Sequence, residues 1–180
     1  MITVLAGGVG AARLLRGLVL AVPASRVTAV VNTADDVVLH GLHVSPDLDT
    51  VTYTLAEAGN PETGWGLAEE TWQAMDALDR FGGLTWFRLG DRDLGTHLYR
   101  TGRLAEGAGL AAVTAEITQA WGLETMLLPM TEDPVATMVT MDEGEWAGDE
   151  VGFQEYFVRL GHSVAVRSVR FAGALSLIHI

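Results

Sequence analysis

The chain has 180 residues, 49% hydrophobic and 19% charged, a composition typical of one globular domain. It has no cysteine, which excludes a disulfide scaffold and a thiolate metal site. Its 11 basic residues are all arginine and face 23 acidic residues, for a net charge of −12. This charge indicates no nucleic acid and no membrane as partner, and the lack of lysine excludes a Walker-type phosphate loop. Without an apolar run of membrane-spanning length or a signal peptide, we expect a cytoplasmic protein.

The first part of the chain predicts a βαβ unit. The apolar run Ile2–Ala6 leads into the segment GGVGAAR, and residues 11–22 have helical character with Pro23 as a stop. A second strand is predicted over Val27–Val31. Two strands joined in this way lie parallel in one sheet.

The middle of the chain is predicted to be mostly helical. Ser45 can cap a helix that begins at Pro46 and ends near residue 58. Three further helices are expected over residues 67–81, 93–106 and 110–121, each followed by glycine. Between the first two of these, LTWFRLGDRDLGTH is strand-like at its start and turn-like afterwards.

Strand patterns return after Gly122, in ETMLLP, in TMVTMDEGEWAG with a hairpin near residues 142–144, and in SVAVRSVRFAGA. We therefore expect a single α/β domain over residues 1–180. Its sheet is expected to be Rossmann-like, mostly parallel and three-layered, with a helical insertion at about residues 60–122.

The glycine-rich segment after the first strand is a candidate phosphate site. Gly7, Gly8 and Gly10 allow close approach of a ligand to the backbone, and Arg13 can supply a cation one helical turn later. Arg13 stands where a dinucleotide fingerprint has glycine or alanine, so the motif is not a clean one. A tight turn without a ligand is the alternative.

Two acidic turns flank the mouth that this glycine turn would form. Asn32, Asp35 and Asp36 follow the second strand, where open α/β sheets bind ligands. Asp47 and Asp49 stand in the first turn of the next helix, where acids also complement the helix dipole. Carboxylates beside a phosphate need a hard cation between them, which predicts Mg²⁺ at these turns.

Two later turns carry polar candidates. Asp91 and Arg92 precede a helix in GDRDLGTH, as a salt-bridged turn or as a phosphate clamp. Thr131 and Asp133 lie in PMTEDPVAT, a turn between strands. The histidines show no ligand set with zinc-like geometry.

These motifs together resemble a known family. LAGGVGAARLLRGL, VVNTADD, HGLHVSPDLDTVTYTLA, GWGLAEETW, WFRLGDRDLGTHLYRT, LPMTEDPVATMV and FQEYFVRLGH occur in this order. They resemble the 2-phospho-L-lactate transferases of deazaflavin coenzyme biosynthesis, the CofD/FbiA family. The resemblance extends from residue 1 to about residue 174, and SPDLDT and GDRDLGTH are its most specific segments.

The resemblance implies a Mg²⁺-assisted transfer to the terminal hydroxyl of the deazaflavin Fo. The donor is phospholactate or enolpyruvate linked to guanosine diphosphate, and GMP leaves. By motif, Asp35 and Asp47 are the catalytic and metal-binding carboxylates, with Asp36 and Asp49 in support. The glycine turn lies against the ligand, and Asp91, Thr131 and Asp133 lie near the deazaflavin. The family often dimerises, which leaves a homodimer open for this chain.

The end of the chain departs from the family pattern, because family members continue well past residue 174 and LSLIHI does not resemble that continuation. We therefore expect a truncated member. Three alternatives remain open at this point: a nucleotide-sugar-binding regulator of a related family, a Rossmann-like oxidoreductase, and an inactive fragment.

Overall fold

The computed structural model describes residues 1–173, so the apolar end LSLIHI lies outside the described residues. The helices are α1 (Val9–Ala21), α2 (Pro46–Leu55), α3 (Gln73–Arg80), α4 (Asp93–Ala105) and α5 (Leu110–Ala120). The strands are β1 (Ile2–Ala6), β2 (Val27–Val31), β3 (Val37–Leu39), β4 (Leu42–Val44), β5 (Met126–Pro129), β6 (Ala136–Met141), β7 (Glu150–Gly152) and β8 (Val166–Ala172).

The predicted βαβ unit is confirmed. β1 and β2 pair in parallel with Val4 opposite Ala29, and β5 joins the other side of β2, so the order is β1-β2-β5. The backbone N–H of Asn32 donates to the carbonyl of Ala6 at 2.8 Å. This bond places the first residue after β2 beside the start of the glycine turn.

The two faces of this sheet have different surroundings. Val27, Ala29 and Val31 are fully buried against side chains of α1, α2 and α5. Leu5 on the opposite face is 84% exposed and, with Val30, lines a cleft. The alternation of β2 therefore builds the hydrophobic core with one face and the floor of a cleft with the other.

A short hairpin that the sequence patterns did not indicate leads into α2. β3 and β4 pair antiparallel around His40 and Gly41, whose φ angles are 54° and 77°. Positive φ at both central positions is the geometry of a type I′ turn. Pro46 occupies the first turn of α2 as predicted, but the hydroxyl of Ser45 donates to Asp36 at 2.6 Å and does not cap the helix.

Two predictions for the middle of the chain were wrong. The helix expected over residues 67–81 begins only at Gln73, because Glu69 has a φ of 55° and the carboxylate of Asp91 accepts the first N–H groups of α3. Residues 84–89 form no strand; Leu89 is buried in a second hydrophobic cluster through irregular backbone. The helices expected over residues 93–106 and 110–121 match α4 and α5 closely.

The last described strands form a separate antiparallel sheet in the order β7-β6-β8. β6 pairs with β7 around a longer connection than a tight hairpin, and with β8 through a register shift at Thr140 and Met141. The chain is thus of the expected α/β class, with a parallel sheet that packs against helices on one face. Over residues 1–173, no helix combines the length and apolar character required to span a membrane.

Candidate active site

A cleft of about 920 Å³ opens at the carboxyl ends of the parallel strands. Its polar side is formed by residues of the glycine turn, the segment after β2 and the first turn of α2: Gly7, Gly8, Asn32, Asp35, Asp47 and Asp49. This is the edge at which open α/β sheets bind ligands. The structure therefore brings together most of the residues that the sequence predicted for the phosphate end of the site.

Asn32 joins the two carboxylates that were predicted to be catalytic. Its Nδ2 donates to Asp35 Oδ2 at 3.1 Å and to Asp47 Oδ2 at 2.9 Å. The two acids are twelve positions apart in the sequence and come from different elements, one from the turn after β2 and one from α2. Their pairing is a property of the fold.

Burial gives this pair an unusual proton affinity. The pKa of Asp47 is raised to about 6, mainly by burial. The hydrogen bond from Asn32 lowers this pKa in part, and the nearby charges of Asp35 and Asp36 raise it further. The pKa of Asp35 is also raised, mainly by burial. Asp47 is therefore close to the range in which a carboxylate can accept and return a proton near neutral pH.

The glycine turn lies directly against Asp47. A Cβ atom on Gly8 would stand 2.8 Å from Asp47 Oδ1, closer than side chains tolerate, and one on Gly7 would stand 3.8 Å from Oδ2. Gly8 also precedes the first residue of α1, whose free N–H groups and dipole favour an anion. The glycine turn, whose backbone suits a phosphate, is thus in contact with Asp47, whose carboxylate would repel that phosphate.

The donor set fits a hard cation. Asp35 and Asp47 offer carboxylate oxygens to the same cleft, and Mg²⁺ is usually held by one or two carboxylates with substrate phosphates and water. Within residues 1–173, no cluster of three or more histidine, aspartate or glutamate side chains is arranged to hold a metal. The two carboxylates therefore offer two oxygen ligands, and water or a phosphorylated substrate would fill the remaining positions around a cation.

Asp49 has a different environment from Asp47, although only one residue separates them. Asp49 is 5% exposed, and both its oxygens accept from the guanidinium of Arg100 on α4, which is 2% exposed. Arg100 also donates to the carbonyl of His43 at 3.3 Å. The pair anchors the first turn of α2 to α4, so it fixes the turn that carries Asp47.

A second buried side chain on α4, that of His97, also contacts Asp49. His97 lies between Asp49 and Asp93, with Nε2 3.1 Å from Asp93 Oδ2. The hydroxyl of Tyr53 donates to Asp93 Oδ1 at 2.5 Å, and burial together with the nearby carboxylates raises the tyrosine pKa above its ordinary value. Tyr53 therefore stays protonated. Tyr53, Asp93 and His97 all line the cleft.

Asp36 turns away from the main cleft. Its Oδ2 accepts from Ser45 at 2.6 Å and lies 2.9 Å from His43 Nε2, so it ties the segment after β2 to β4 and the start of α2. With Asp35 it also lines a smaller cavity of about 280 Å³. These contacts of Asp36 hold the segment that carries Asp35 against β4 and the start of α2.

Six other predicted residues lie outside the cleft wall formed by residues 1–173: Gly10, Arg13, Asp91, Arg92, Thr131 and Asp133. Asp91 accepts the hydroxyl of Thr71 and two backbone N–H groups of α3, and these bonds lower its pKa. Arg92 donates to the carbonyl of Ala68 at 2.9 Å. Their ligand contacts stay predictions, since the geometry shows what they do within the chain.

The apolar side of the cleft was not predicted. It is formed by Trp65, Phe87, Phe153 and Phe157, with Arg88 at the edge. The Phe153 and Phe157 rings stack at 5.6 Å between centroids, and the Trp65 and Phe87 rings are 6.4 Å apart. Aromatic residues are common in cores, and only the fold shows that these four line one cleft.

This geometry defines a class: an α/β protein with a glycine-rich turn and a carboxylate pair at the carboxyl end of a parallel sheet. Within that class, the family model described as 2-phospho-L-lactate transferase CofD matches residues 2–174. The chain belongs to the CofD family.

Relatives with curated names agree with this membership. The chain is 48% identical over 175 residues to a phosphoenolpyruvate transferase of Streptomyces coelicolor. The matched region covers 96% of the chain and 54% of the relative. The chain is 40% identical over 194 residues to a phosphoenolpyruvate transferase of Mycobacterium avium, covering 96% and 58%. The chain thus spans a little over half the length of these relatives.

A solved structure supports the fold. A member of the UPF0052 family from Bacillus halodurans superposes with a TM-score of 0.55 over 94% of this chain and 50% of the other, at 21% identity. At this identity, the similarity concerns the fold alone.

Proposed function

We propose that this chain carries the carboxylate and phosphate site of a transferase that moves a phosphoenolpyruvyl group from a guanosine diphosphate-linked donor to the deazaflavin Fo. The observation that carries the proposal is the Asp35–Asn32–Asp47 cluster against the glycine turn. The names of the relatives favour enolpyruvate as the donor acid over lactate.

In the proposed reaction, the terminal hydroxyl oxygen of Fo attacks the phosphorus that carries the enolpyruvyl group. A new phosphorus–oxygen bond forms, the bond to the oxygen that bridges to the guanosine monophosphate breaks, and GMP leaves with that oxygen. The hydroxyl proton passes to Asp47 or Asp35, which face the same space. Such reactions depend on positioning and charge neutralisation more than on covalent catalysis.

Mg²⁺ is the cation we propose for this site, held by Asp35 and Asp47. When bound, it supplies positive charge to the donor phosphates, as metal ions do in phosphoryl transfer. The N–H groups at Gly8 and the start of α1 orient the same phosphates. All of the basic residues are arginines, and within residues 1–173 only Arg88 lines the cleft. Side chains therefore supply little positive charge to balance the donor phosphates, and a cation would supply the rest.

The aromatic side of the cleft suits the ring of the acceptor. Fo has a flat conjugated ring, and aromatic side chains bind such rings by stacking and edge contacts. Trp65, Phe87 and Phe157 line the same cleft as the carboxylates. A ring held on these side chains would place its ribityl chain in the cleft that contains Asp47.

A transfer assay tests the proposal. The chain, Fo, the enolpyruvyl donor and Mg²⁺ are mixed, and GMP and the phosphodiester product are quantified by mass spectrometry. We expect Asp47→Asn to lower the rate by about 100-fold or more, as expected for loss of a group that acts in proton transfer. Asp142→Asn, an exposed acid paired with Arg167 on β8, should leave the rate unchanged. A folded chain that forms no product, or an active Asp47→Asn variant, would reject the proposal.

A further inference from the structure

The side-chain amide of Asn32 has only one orientation that satisfies its neighbours. Its Oδ1 accepts the backbone N–H of Ala34 at 3.1 Å, which a nitrogen could not do. Nδ2 must therefore face the carboxylates, where it has one hydrogen for each acid. The backbone of the turn thus fixes the direction in which Asn32 donates.

This amide selects among the carboxylate oxygens. Nδ2 contacts the Oδ2 atoms of Asp35 and Asp47, while Asp47 Oδ1 lies at the glycine turn, 2.8 Å from the position of a Cβ atom on Gly8. The oxygen that is turned toward the phosphate-binding backbone is the one that Asn32 does not hold. Carboxylates of like charge would otherwise turn apart.

We propose that Asn32 is a positioning residue for the cation site: it holds Asp35 and Asp47 together by their Oδ2 atoms and directs Asp47 Oδ1 toward the glycine turn. This inference rests on the proposed function, because it concerns the same two carboxylates. It differs from the role expected from the sequence, in which Asn32 contacts the substrate. Groups that orient metal ligands commonly change metal affinity by about 10- to 100-fold when they are removed.

The experiment measures Mn²⁺ binding to the 180-residue chain, with the loss of the free Mn²⁺ electron paramagnetic resonance signal as readout and no substrate present. Asn32→Ser keeps an oxygen that can accept from Ala34 but cannot donate to both acids. Asn60→Ala is the matched control, since Asn60 accepts the N–H of Glu62 at 2.9 Å in the same kind of turn. Where the serine variant does not melt cooperatively, Asn32→Thr replaces it, because its hydroxyl accepts the same bond.

We expect Asn32→Ser to weaken Mn²⁺ binding by about 10-fold or more, with Asn60→Ala at the wild-type value. In the transfer assay, the Mg²⁺ concentration for half-maximal rate should rise while the KM for Fo stays constant. If Asn32→Ser instead loosened the chain generally, the KM for Fo would change together with the Mg²⁺ requirement.

The possible failures are distinguishable. If Asn32→Ser binds Mn²⁺ as the wild type does while Asp47→Asn does not bind it, the positioning role is rejected and the proposed cation site stands. If the wild type and Asp47→Asn bind Mn²⁺ equally, or if neither binds it, the cation site itself is rejected and the positioning role with it. Equal weakening in Asn60→Ala also rejects the specific role of Asn32.

Discussion

Asp47 combines a partly buried carboxylate, a bond from Asn32 and contact with the glycine turn. These properties depend on Asn32, which is 15 positions away in the sequence, and on Gly8, which has no side chain to displace the carboxylate. Asp49, two positions later, is instead neutralised by Arg100. At the scale of residues, the two acids of SPDLDT thus have separate tasks, although both line the cleft: Asp47 contacts Asn32 and the glycine turn, and Asp49 holds the helix in place.

Gly8 tests how closely the turn must approach Asp47. In Gly8→Ala the new methyl group would stand 2.8 Å from Asp47 Oδ1, so the carboxylate must move. We expect the transfer rate to fall by about 10- to 100-fold, as for other small displacements of reacting groups. Gly17→Ala is the control on the same helix, because its Cβ meets open space. Equal rates for Gly8→Ala and the wild type would show that this contact is not needed.

The raised pKa of Asp47 predicts a pH-dependent stability. Between its ordinary value of 3.8 and about 6, the folded chain binds the proton more tightly than the unfolded chain does. The free energy of unfolding therefore falls as the pH rises through this window and changes no further from this cause above it. In Asp47→Asn this loss is absent.

We therefore expect Asp47→Asn to match the wild type near pH 4 and to be more stable by about 1–2 kcal/mol above pH 7, a value reduced for the partial exposure of the carboxylate. Urea unfolding in EDTA at several pH values measures this difference. Parallel stability curves for the two proteins would show that the Asp47 pKa is not raised.

At the scale of elements, α4 fixes the position of α2. Arg100 on α4 reaches both Asp49 on α2 and the carbonyl of His43 on β4, so it joins three elements. The two partners of the ion pair are 51 positions apart, and sequence patterns do not predict such a pairing. By contrast, β1, α1, β2 and the start of α2 were predictable, because glycine and proline mark their ends locally.

Removal of the Arg100 charge should destabilise the chain. We expect Arg100→Leu to lower the free energy of unfolding by about 3–5 kcal/mol, because Asp49 stays buried without its partner. Arg103→Leu, on the same helix but in a partly exposed pair with Glu116, should change the melting temperature less. Thermal and urea unfolding compare the two variants. If Asp49→Leu combined with Arg100→Leu is no more stable than Arg100→Leu alone, the unpaired charge is not the cause.

Short or irregular elements were the ones that sequence patterns described poorly. β3 and β4 have three residues each, too few for a periodic signal. Residues 84–89 carry an apolar pattern that resembles a strand, yet Leu89 reaches the hydrophobic cluster without one. In both cases tertiary packing decides the local structure.

At the scale of the whole molecule, the cleft is built from two regions of different character. The parallel sheet and its glycine turn supply the polar side, and Phe153 and Phe157 reach the cleft from the segment after β7. The sequence predicted the polar side because its motifs are local. It did not predict the aromatic side, whose members lie up to 92 positions apart, from Trp65 to Phe157.

The aromatic side should determine binding of the acceptor ring. We expect Phe157→Ala to weaken Fo binding by about 5-fold or more, since aromatic pairs contribute about 0.5–1.5 kcal/mol beyond their buried area. Phe171→Ala is the control, because Phe171 is 64% exposed on β8 and does not line the cleft. Quenching of the Fo fluorescence measures both. Equal affinities would place the ring elsewhere.

Anomalous diffraction at the manganese edge, from crystals of the chain grown with GDP and Mn²⁺, tests the cation site most directly. We expect one strong peak between the carboxylates of Asp35 and Asp47, with the diphosphate against the backbone of Gly7 and Gly8. A peak away from both carboxylates, or a diphosphate bound outside the cleft, would contradict this expectation.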